Sequence, residues 1–597
     1  MNQRLLLSGN EAVALGARTA GVRFASAYPG TPSTEILENI ARLPGIHAQW
    51  SPNEKVAFEV GIGASLAGAR VIVCMKHVGV NVAADPLMTL AYTGIKGGFV
   101  LVSADDPEMH SSQNEQDNRT YAKFAKIPML EPSDSQESYD FVGEALEISE
   151  RFDTPVLLRM TTRISHSMTP VQTRSWEEIK VSGFQVDIDK YVMMPNFARP
   201  RHQAVLKRLE ALREFSEETP LNRIEWGDKK VGVVTSGVSY QHAREALPDA
   251  SFFKLGFSYP MPLKKIADFA SKVDKLIVVE ELEPFIEEAL KANGIPCEGK
   301  KYFPIYGELN PSLTAEGFEK AGILKPSPGG EAAPAEVLPR PPVLCAGCGH
   351  RSVFYALKKL GAHVTGDIGC YTMAALPPLE ALHSCVCMGA SIGMAIGISQ
   401  VEGSKRPVFA VIGDSTFLHS GITGLLDAVY NKADLNLIIL DNRITAMTGG
   451  QAHPATGKTL MGEDTKSVDF IELAKALGVD HAEEFDPYDF KGTLEVLKAA
   501  SKRPGVNVLI TTRPCMLFPK KVKHEPYRII AADCTGCGVC LKIGCPAIAR
   551  SGEVTDKNLP IPIIDETQCT GCRLCAEICP PDCILSLSEI EKKGVES

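Results

Sequence analysis

Cysteine residues are the part of this sequence whose spacing points most directly to chemistry. The chain of 597 residues contains 17 cysteines, and nine of them fall between Cys534 and Cys583. They form two runs, Cys534-x2-Cys537-x2-Cys540-x4-Cys545-Pro546 and Cys569-x2-Cys572-x2-Cys575-x3-Cys579-Pro580. Three thiolates at successive x2 spacings followed by Cys-Pro are typical of paired [4Fe-4S] clusters, in which the fourth cysteine of each run binds the other cluster. We therefore predict a separate module for low-potential, one-electron transfer.

The spacing assigns four cysteines to each cluster. One cluster is predicted to bind Cys534, Cys537, Cys540 and Cys579, and the other Cys545, Cys569, Cys572 and Cys575. Cys583 has no predicted role. The alternative is a pair of four-cysteine zinc sites, because C-x2-C pairs also bind structural zinc. Zinc ribbons, however, separate two such pairs by a long loop, which favours the clusters.

A second candidate site lies at the ends of two predicted strands. Gly413-Asp414-Ser415 follows the apolar run 408–412, and Asp441-Asn442 follows the run 435–440. In a parallel sheet both turns lie at the carboxyl edge, where ligands bind. Carboxylate and amide oxygens suit the octahedral shell of Mg²⁺. Taken alone, Gly-Asp-Ser after a strand is also a common turn.

The same segment resembles the GDG-x(25–30)-N signature of thiamine-diphosphate enzymes. The resemblance implies that the side chains of Asp414 and Asn442 and the carbonyl oxygen of Ile444 bind Mg²⁺. Ser415 stands where the signature has its second glycine, and Asp441 where it has its first asparagine. A Thr448-Gly449-Gly450-Gln451 turn follows. The predicted cofactor-binding residues are Gly413, Asp414, Ser415, Asn442, Ile444, Thr448 and Gly449.

Glu54 is the candidate for the carboxyl group that thiamine chemistry requires. Such a group hydrogen-bonds N1' of the aminopyrimidine ring, while the cofactor supplies the difficult chemistry. Glu54 follows Asn53 at the start of a helix predicted over residues 54–69. The simpler interpretation is that its charge stabilises the helix N-terminus. Glu59 is a competing candidate.

The elements that must position these residues form repeated α/β units. The chain has 44% hydrophobic and 22% charged residues, as an average globular protein does, and its net charge of −10 argues against a nucleic-acid-binding face. Buried strands are predicted at 70–75, 98–103, 155–160, 231–235, 275–280, 408–412, 435–440 and 506–511. The predicted fold class is α/β, with several parallel-sheet domains of thiamine-diphosphate-binding type and a C-terminal bacterial-type 2[4Fe-4S] ferredoxin domain.

Six segments are predicted along the chain. They are a thiamine pyrimidine-binding-type domain (1–170), a polar connecting segment (171–228), a transketolase C-terminal-like α/β domain (229–325), a Pro/Ala/Gly-rich linker (326–342), a thiamine diphosphate and magnesium domain (343–524) and the ferredoxin-like domain (525–597). The first ten residues lack the apolar core of a secretory signal, so we expect a cytoplasmic protein. Residues 381–401 carry no charge over a length that could span a bilayer. Their regularly spaced glycines and serines instead favour a buried helix pressed closely against its neighbours.

Together, the motifs resemble the 2-oxoacid:ferredoxin oxidoreductases over the whole chain. Tyr28-Pro29-Gly30-Thr31-Pro32-Ser33 lies near the start. Residues 76–86 and 366–371 are most similar to the large, alpha subunit of the indolepyruvate branch of that family. The resemblance implies that Thr31 lies beside the substrate carbonyl or carboxylate. His77 is a second candidate for a substrate contact, with a structural role as the alternative.

Four further cysteines match a cluster of the pyruvate:ferredoxin oxidoreductases in their thiamine-binding part. They are Cys345, Cys348, Cys370 and Cys515. The resemblance implies a third [4Fe-4S] cluster close to the thiamine. The alternative is that these cysteines are small buried apolar residues, and both interpretations stay open.

The resemblance also implies an activity. It is the oxidative decarboxylation of an arylpyruvate such as indolepyruvate, in which coenzyme A takes the acyl group and electrons pass through the clusters to external ferredoxin. A small beta subunit and a dimer of heterodimers are implied as well. Two alternatives remain, an oxidoreductase for another 2-oxoacid and an electron-transfer subunit with a non-catalytic α/β scaffold. A non-oxidative decarboxylase is disfavoured, because it needs no eight-thiolate module.

Overall fold

The computed structural model describes residues 3–176, 179–325, 341–401, 406–518 and 525–593. The chain divides into two compact units, Met1–Ala335 and Glu336–Ser597. Within the described residues, no helix combines the length and apolar character that a membrane span requires. Most of the predicted linker, residues 326–340, lies outside the described residues.

A seven-stranded sheet organises the start of the first unit. Its strands in spatial order are Phe257–Tyr259, Met129–Leu130, Val156–Thr161, Phe99–Asp105, Val71–Lys76, Phe24–Ala27 and His47–Trp50. All neighbours are parallel except the first pair. Every residue of the three central strands is buried, as expected for a parallel sheet covered by helices. The parallel α/β fold class is confirmed, and the three predicted strands lie within two residues of their observed bounds.

Helices follow the strands of this sheet in the crossover pattern of parallel strands. They are Gly9–Thr19, Thr34–Ile40, Glu54–Leu66, His77–Val82, Ala84–Thr93, Arg119–Ala125, Ser135–Phe152 and Thr162–His166. The helix predicted over 54–69 starts as expected, because the Asn53 side chain accepts a hydrogen bond of 2.9 Å from the Val56 N–H. It ends earlier than predicted, and Gly68 follows it in the left-handed region at φ 86°.

The segment predicted to be a polar connection, residues 171–228, contains more regular structure than its composition suggested. Its beginning completes the strand Met168–Gln172, which pairs antiparallel with Arg4–Ser8. A helix of 24 residues, Pro195–Glu218, follows. The helix buries the apolar residues Val205, Leu209 and Leu212. These occur at i, i+4 and i+7, so one narrow stripe faces the core while the rest of the helix is polar.

A second, four-stranded sheet completes the first unit. Its order is Lys275–Val279, Asp228–Ser236, Ala250–Leu255 and Arg223–Glu225, and only the last strand is antiparallel. Its helices are Gly237–Ala246, Leu263–Ala270, Phe285–Ala292 and Pro311–Lys320. The strand Phe257–Tyr259 leaves this part of the chain and extends the seven-stranded sheet. The two sheets of the unit are therefore tied together by the chain itself.

A five-stranded parallel sheet organises the second unit. Its order is His363–Thr365, Val408–Gly413, Leu435–Asp441, Val506–Thr512 and His481–Phe485. The main helices are His350–Leu360, Ala390–Gln400, Ile422–Tyr430, Phe470–Ala476 and Phe490–Ala500. The strand order places the Asp414 turn and the Asn442 turn after neighbouring strands, as the sequence predicted.

The uncharged stretch 381–401 is not the closely packed helix that we predicted. Only Ala390–Gln400 is helical. A Cβ atom built on Gly393 or Gly397 would meet no other atom within 4 Å. These glycines are exposed, so the prediction was wrong for this face of the helix, while Ile392 and Ile396 on another face are buried.

The cysteine-rich tail folds as a small module of two antiparallel pairs. Tyr527–Ile529 pairs with Ile584–Ser586, and Ile548–Val554 pairs with Pro560–Ile564. Its helices are Leu574–Glu577 and Leu587–Lys593. Apolar side chains of the module, including Ile543 and Leu574, share one core with Val353 and Leu357 of the α/β domain. The module is therefore packed into the second unit.

Candidate active site and iron–sulfur centres

Asp414 lies where the strand Val408–Gly413 ends, and its carboxylate is held by two backbone donors. Ser415 N–H donates to Oδ1 at 2.8 Å and Asn442 N–H donates to Oδ2 at 3.2 Å. The Gly413 N–H donates to the Tyr371 hydroxyl at 3.0 Å. A Cβ atom on Gly413 would lie 3.0 Å from the Tyr371 ring. The first residue of the motif is thus held tightly against an aromatic side chain.

Asp441 brings a second carboxylate to this turn. Burial and the nearby charge of Asp414 raise the pKa of Asp441 to about 7. His453 Nε2 lies 3.1 Å from Asp414 Oδ2. Although burial opposes it, the hydrogen bond and charge of His453 lower the pKa of Asp414. Arg443 Nε lies 2.9 Å from Asp441 Oδ2 and offsets part of the repulsion between the two carboxylates. The carboxylate oxygens are donors of the kind that Mg²⁺ prefers, so the donor set fits Mg²⁺.

The turn after the next strand supplies the other predicted cofactor residues. Asn442 Oδ1 accepts the Ile444 N–H at 3.1 Å, and Thr445 donates to the Ser415 hydroxyl at 2.9 Å. Thr448 bonds the side chain of Gln451. Gly449 has φ 116°, a conformation that favours glycine. The structure thus brings together Gly413, Asp414, Ser415, Asn442, Ile444, Thr448 and Gly449 at one sheet edge, and their roles stay a prediction.

Three further residues of this site were not singled out from the sequence as contacts. They are His453, Tyr371 and His350. Burial lowers the pKa of His350 to about 4, so its ring is neutral at pH 7, and it packs edge-on against Tyr371 at 6.0 Å. Tyr371 belongs to the segment 366–371 that carried part of the family resemblance. Nothing in the local pattern of His453 indicates that it reaches Asp414.

Glu54, Thr31 and His77 lie after three neighbouring strands of the first unit. Glu54 starts the helix that follows His47–Trp50, Thr31 lies in the turn after Phe24–Ala27, and His77 follows Val71–Lys76. The structure therefore places all three at the carboxyl edge of the same sheet. Their catalytic roles stay a prediction.

Glu54 is buried, whereas its competitor Glu59 is not. Glu54 is 5% exposed. A Cβ atom on Gly79 would lie 2.7 Å from Glu54 Oε1, so the missing side chain at residue 79 makes room for the carboxylate. The Glu59 side chain is 44% exposed and pairs with Lys55. Of the two candidates, Glu54 is therefore the one enclosed in the fold, and its role stays a prediction.

His77 has the surroundings of a structural residue. It is fully buried, and its Nε2 lies 3.2 Å from the Asn114 carbonyl oxygen. Burial lowers its pKa. Asn118 and Gln116 donate to its backbone carbonyl at 3.0 Å and 3.1 Å. These contacts tie the end of the strand to the loop 114–118.

The eight predicted cluster cysteines gather in two sets. One cavity is lined by Cys534, Cys537, Cys540 and Cys579, and a second by Cys545, Cys569, Cys572 and Cys575. These are the two predicted sets of ligands, although which cluster each binds stays a prediction. Burial raises the pKa of Cys540 to about 11, and bound iron would instead hold such thiols deprotonated. Cys583 lines the first cavity, with its sulfur 3.5 Å from that of Cys579.

The spacing of the sulfur atoms disfavours zinc. Tetrahedral Zn–S bonds of about 2.3 Å hold sulfur atoms about 3.8 Å apart. In the described part of the chain, only Glu108, His110 and Glu308 place three potential ligand atoms within 4.8 Å of one another. Among the described residues, no three sulfur atoms of either cysteine set therefore lie as close together as in a tetrahedral zinc site.

Cys345, Cys348, Cys370 and Cys515 also approach one another. Burial raises the pKa of Cys370 to about 11, and the neighbouring Cys515 and Cys345 thiols add to that effect. The Cys515 N–H donates to the Asn442 carbonyl oxygen at 3.0 Å. This set therefore lies beside the candidate magnesium site, as a thiamine-proximal cluster would.

Family models match three parts of the chain. The thiamine-diphosphate-binding model of pyruvate flavodoxin/ferredoxin oxidoreductases matches residues 15–215. The C-terminal binding domain of thiamine pyrophosphate enzymes matches residues 367–511. A 4Fe-4S dicluster domain matches residues 526–580. Thiamine diphosphate binding and a [4Fe-4S] domain are thereby established.

Curated relatives match nearly the whole chain. The indolepyruvate oxidoreductase subunit IorA of Archaeoglobus fulgidus is 41% identical over an alignment of 613 positions, which covers 97% of this chain and 97% of its own. The IorA subunit of Thermococcus kodakarensis is 39% identical, covering 99% of this chain and 98% of its own. This chain belongs to the IorA family. It is a chain of a thiamine-diphosphate-dependent 2-oxoacid:ferredoxin oxidoreductase.

More distant proteins match this IorA family member less fully. The 2-oxoglutarate synthase subunit KorA of Archaeoglobus fulgidus is 26% identical, covering 50% of this chain and 94% of its own. A solved 2-oxoglutarate:ferredoxin oxidoreductase from Magnetococcus marinus is 17% identical, with a TM-score of 0.45, and covers 53% of this chain and 65% of its own.

Proposed function

We propose that this chain is the large subunit of an arylpyruvate oxidoreductase whose principal substrate is indolepyruvate. The observation that carries the proposal is the identity of 39–41% to indolepyruvate oxidoreductase subunits over nearly the whole chain. The match to a 2-oxoglutarate synthase subunit reaches half of the chain at 26% identity. The reaction would consume indolepyruvate and coenzyme A and release indole-3-acetyl-CoA and carbon dioxide, with electrons leaving to ferredoxin.

Thiamine diphosphate, when bound, supplies the carbanion stabilisation that decarboxylation of a 2-oxoacid needs. Asp414, Asn442 and the Ile444 carbonyl oxygen would hold the Mg²⁺ that neutralises the diphosphate. Asp441 ends the strand Leu435–Asp441 directly before Asn442 and would add negative charge to that cation site. Gly413, Ser415, Thr448 and Gly449 would shape the turns around the diphosphate.

Glu54 would hydrogen-bond N1' of the aminopyrimidine ring and hold a proton there. Its burial supports this role, because a carboxyl group shielded from water keeps a fixed partner. Thr31 would donate a hydrogen bond to the substrate carboxylate or carbonyl oxygen. His77 would act as a positioning residue, since its ring is fully buried and bonds the backbone at Asn114.

The cysteines would carry the electrons away. We propose two [4Fe-4S] clusters in the tail, bound by the two sets described above, and a third bound by Cys345, Cys348, Cys370 and Cys515. The hydrogen bond from the Cys515 N–H to the Asn442 carbonyl oxygen supports the third cluster, because it brings one of these cysteines next to the candidate magnesium site. Electrons would then pass from the thiamine site through the third cluster and the tail to ferredoxin.

The remaining proposals concern assembly and boundaries. A small beta subunit and a dimer of heterodimers would complete the enzyme. We also propose the six segments predicted from the sequence as the domains and connections of the chain. A cytoplasmic location is proposed because none of the 17 cysteines forms a disulfide bond in the structure, as expected in a reducing compartment.

One experiment separates the candidate substrates and roles. The chain would be purified anaerobically with the small subunit, and ferredoxin reduction measured with indolepyruvate, phenylpyruvate, pyruvate and 2-oxoglutarate, with and without coenzyme A. We expect coenzyme-A-dependent reduction that is fastest with indolepyruvate. Faster reduction with pyruvate or 2-oxoglutarate would contradict the substrate. Purified protein that contains clusters but no thiamine diphosphate would favour a non-catalytic electron-transfer subunit.

A further inference from the structure

Arg351 is a buried cation that the proposed mechanism does not use. It lies in the first turn of the helix His350–Leu360 and is 3% exposed. Its Nη1 donates to the Ile543 carbonyl oxygen at 2.6 Å. Its Nη2 donates to the carbonyl oxygens of Leu344 at 2.5 Å and Cys345 at 3.2 Å. Three backbone carbonyls thus fix the guanidinium in place.

Among the residues that the structure describes, none places a carboxylate in an ion pair with Arg351. Within the described residues its partners are neutral carbonyl groups, and its Nε, also buried, has no hydrogen-bond partner. A buried charge without an opposite charge is strongly destabilising. Carbonyl dipoles reduce that cost in part. An anion beside the guanidinium would offset the rest of the cost.

Arg351 lines the second of the two cysteine cavities. The cysteines of that cavity are Cys545, Cys569, Cys572 and Cys575, with Cys348 of the third set also in its wall. A [4Fe-4S] cluster bound by four thiolates is negatively charged, and its net charge is one of the factors that set its potential. We propose that Arg351 is the buried counter-ion of this cluster and raises its reduction potential. The inference rests on the proposed cluster assignment.

The physical step is the transfer of one electron. The electron would come from the 2-oxoacid as it is oxidatively decarboxylated, would reduce the cluster by one electron and would later leave to ferredoxin. Reduction adds one negative charge to the cluster and breaks no covalent bond. A fixed cation close by stabilises the reduced form more than the oxidised form, and the low dielectric of the interior strengthens that effect.

Arg573 provides a matched control, because it lines the same cavity in a different electrostatic setting. Its side chain is 59% exposed and pairs with Glu577. Solvent and the carboxylate both screen its charge. Removing Arg573 therefore deletes an arginine from the same cavity wall without deleting a buried, unpaired charge.

The test measures cluster potentials in the anaerobic complex with the small subunit. Iron and sulfide content would be determined first, and midpoint potentials then measured by redox titration monitored by electron paramagnetic resonance. For Arg351→Gln we expect the equilibrium constant for reduction of one cluster to fall about tenfold. For a one-electron couple, this corresponds to a midpoint potential about 59 mV more negative. Arg573→Gln should shift the midpoint potential of the same cluster by less than a third of that amount. Arg351→Lys, which keeps the charge, should stay close to wild type.

The outcomes are distinguishable. Wild-type protein without the expected iron would refute the cluster assignment itself. Full iron content in Arg351→Gln with no more shift than in Arg573→Gln would overturn the counter-ion role. If Arg351→Gln binds no cluster, Arg351→Lys decides the question. A wild-type midpoint potential in Arg351→Lys supports the role of the charge. A change of about tenfold in its equilibrium constant for reduction overturns that role.

Discussion

Replacing Gly79 with alanine tests whether the position of Glu54 controls turnover. A Cβ atom at residue 79 would lie 2.7 Å from both Cγ and Oε1 of Glu54, whereas ordinary contact begins at 3.4 Å. The carboxyl group or the helix that carries residue 79 must therefore move by about 0.7 Å. Because misplacement of about 1 Å can cost about 100-fold in rate, we expect turnover to fall about ten- to 100-fold.

Gly63 is the matched control for this substitution. It lies on the same helix as Glu54, and a Cβ atom there would meet nothing within 4 Å. Alanine favours the helix at both positions, so Gly63→Ala should keep wild-type turnover and thermal stability. The assay is ferredoxin reduction by the complex with the small subunit, with bound thiamine diphosphate and unfolding temperature measured alongside. Equal turnover of Gly79→Ala and Gly63→Ala, with thiamine diphosphate bound, would refute the reasoning.

Three further predictions concern the carboxylates and the cysteines. Glu54→Gln should lower turnover about 10²- to 10⁴-fold with iron content unchanged, while Glu59→Gln stays near wild type; similar losses in both would remove Glu54 from its role. Asp441 attracts a cation only after it loses its proton, and its pKa is raised to about 7. The affinity of the metal-free protein for Mg²⁺ should therefore fall by up to about tenfold per pH unit below pH 7 and level off above pH 7. Isothermal titration from pH 5.5 to 8.5 would check this, and a flat profile would contradict it. Cys545→Ala should lose one cluster by iron analysis, whereas Cys583→Ala should keep both, and the reverse result would redraw the two sets of ligands.

Much of the fold could be predicted because its signals are local. Buried parallel strands such as Val71–Lys76 and Leu435–Asp441 are short apolar runs, and their bounds emerged within one or two residues. The two cysteine runs reveal their grouping by spacing alone. The Asp414 and Asn442 turns follow neighbouring strands, so the rule that ligands bind at the carboxyl edge brought them together.

The elements and contacts that the sequence did not predict depend on residues far apart in the chain. The helix Pro195–Glu218 buries only one narrow stripe, so its polar composition hid its contact with the core. The uncharged stretch 381–401 was expected to be buried, but lack of charge does not determine which face of the helix Ala390–Gln400 is covered. His453 reaches Asp414 through a loop whose course depends on tertiary contacts. The strand Phe257–Tyr259 joins a sheet made of residues far away in the chain, which no local pattern indicates.

The core shared by the cysteine-rich tail and its neighbouring α/β domain limits how this protein can be rebuilt. A fragment beginning near residue 525 would expose part of the core to water, because Ile543, Leu574 and Ile578 belong to the same core as Val353 and Leu357. Exposed apolar surface of that kind promotes aggregation. The ferredoxin-like module therefore cannot simply be exchanged. Grafting another ferredoxin in its place would require redesigning the surface of the α/β domain on which the module packs.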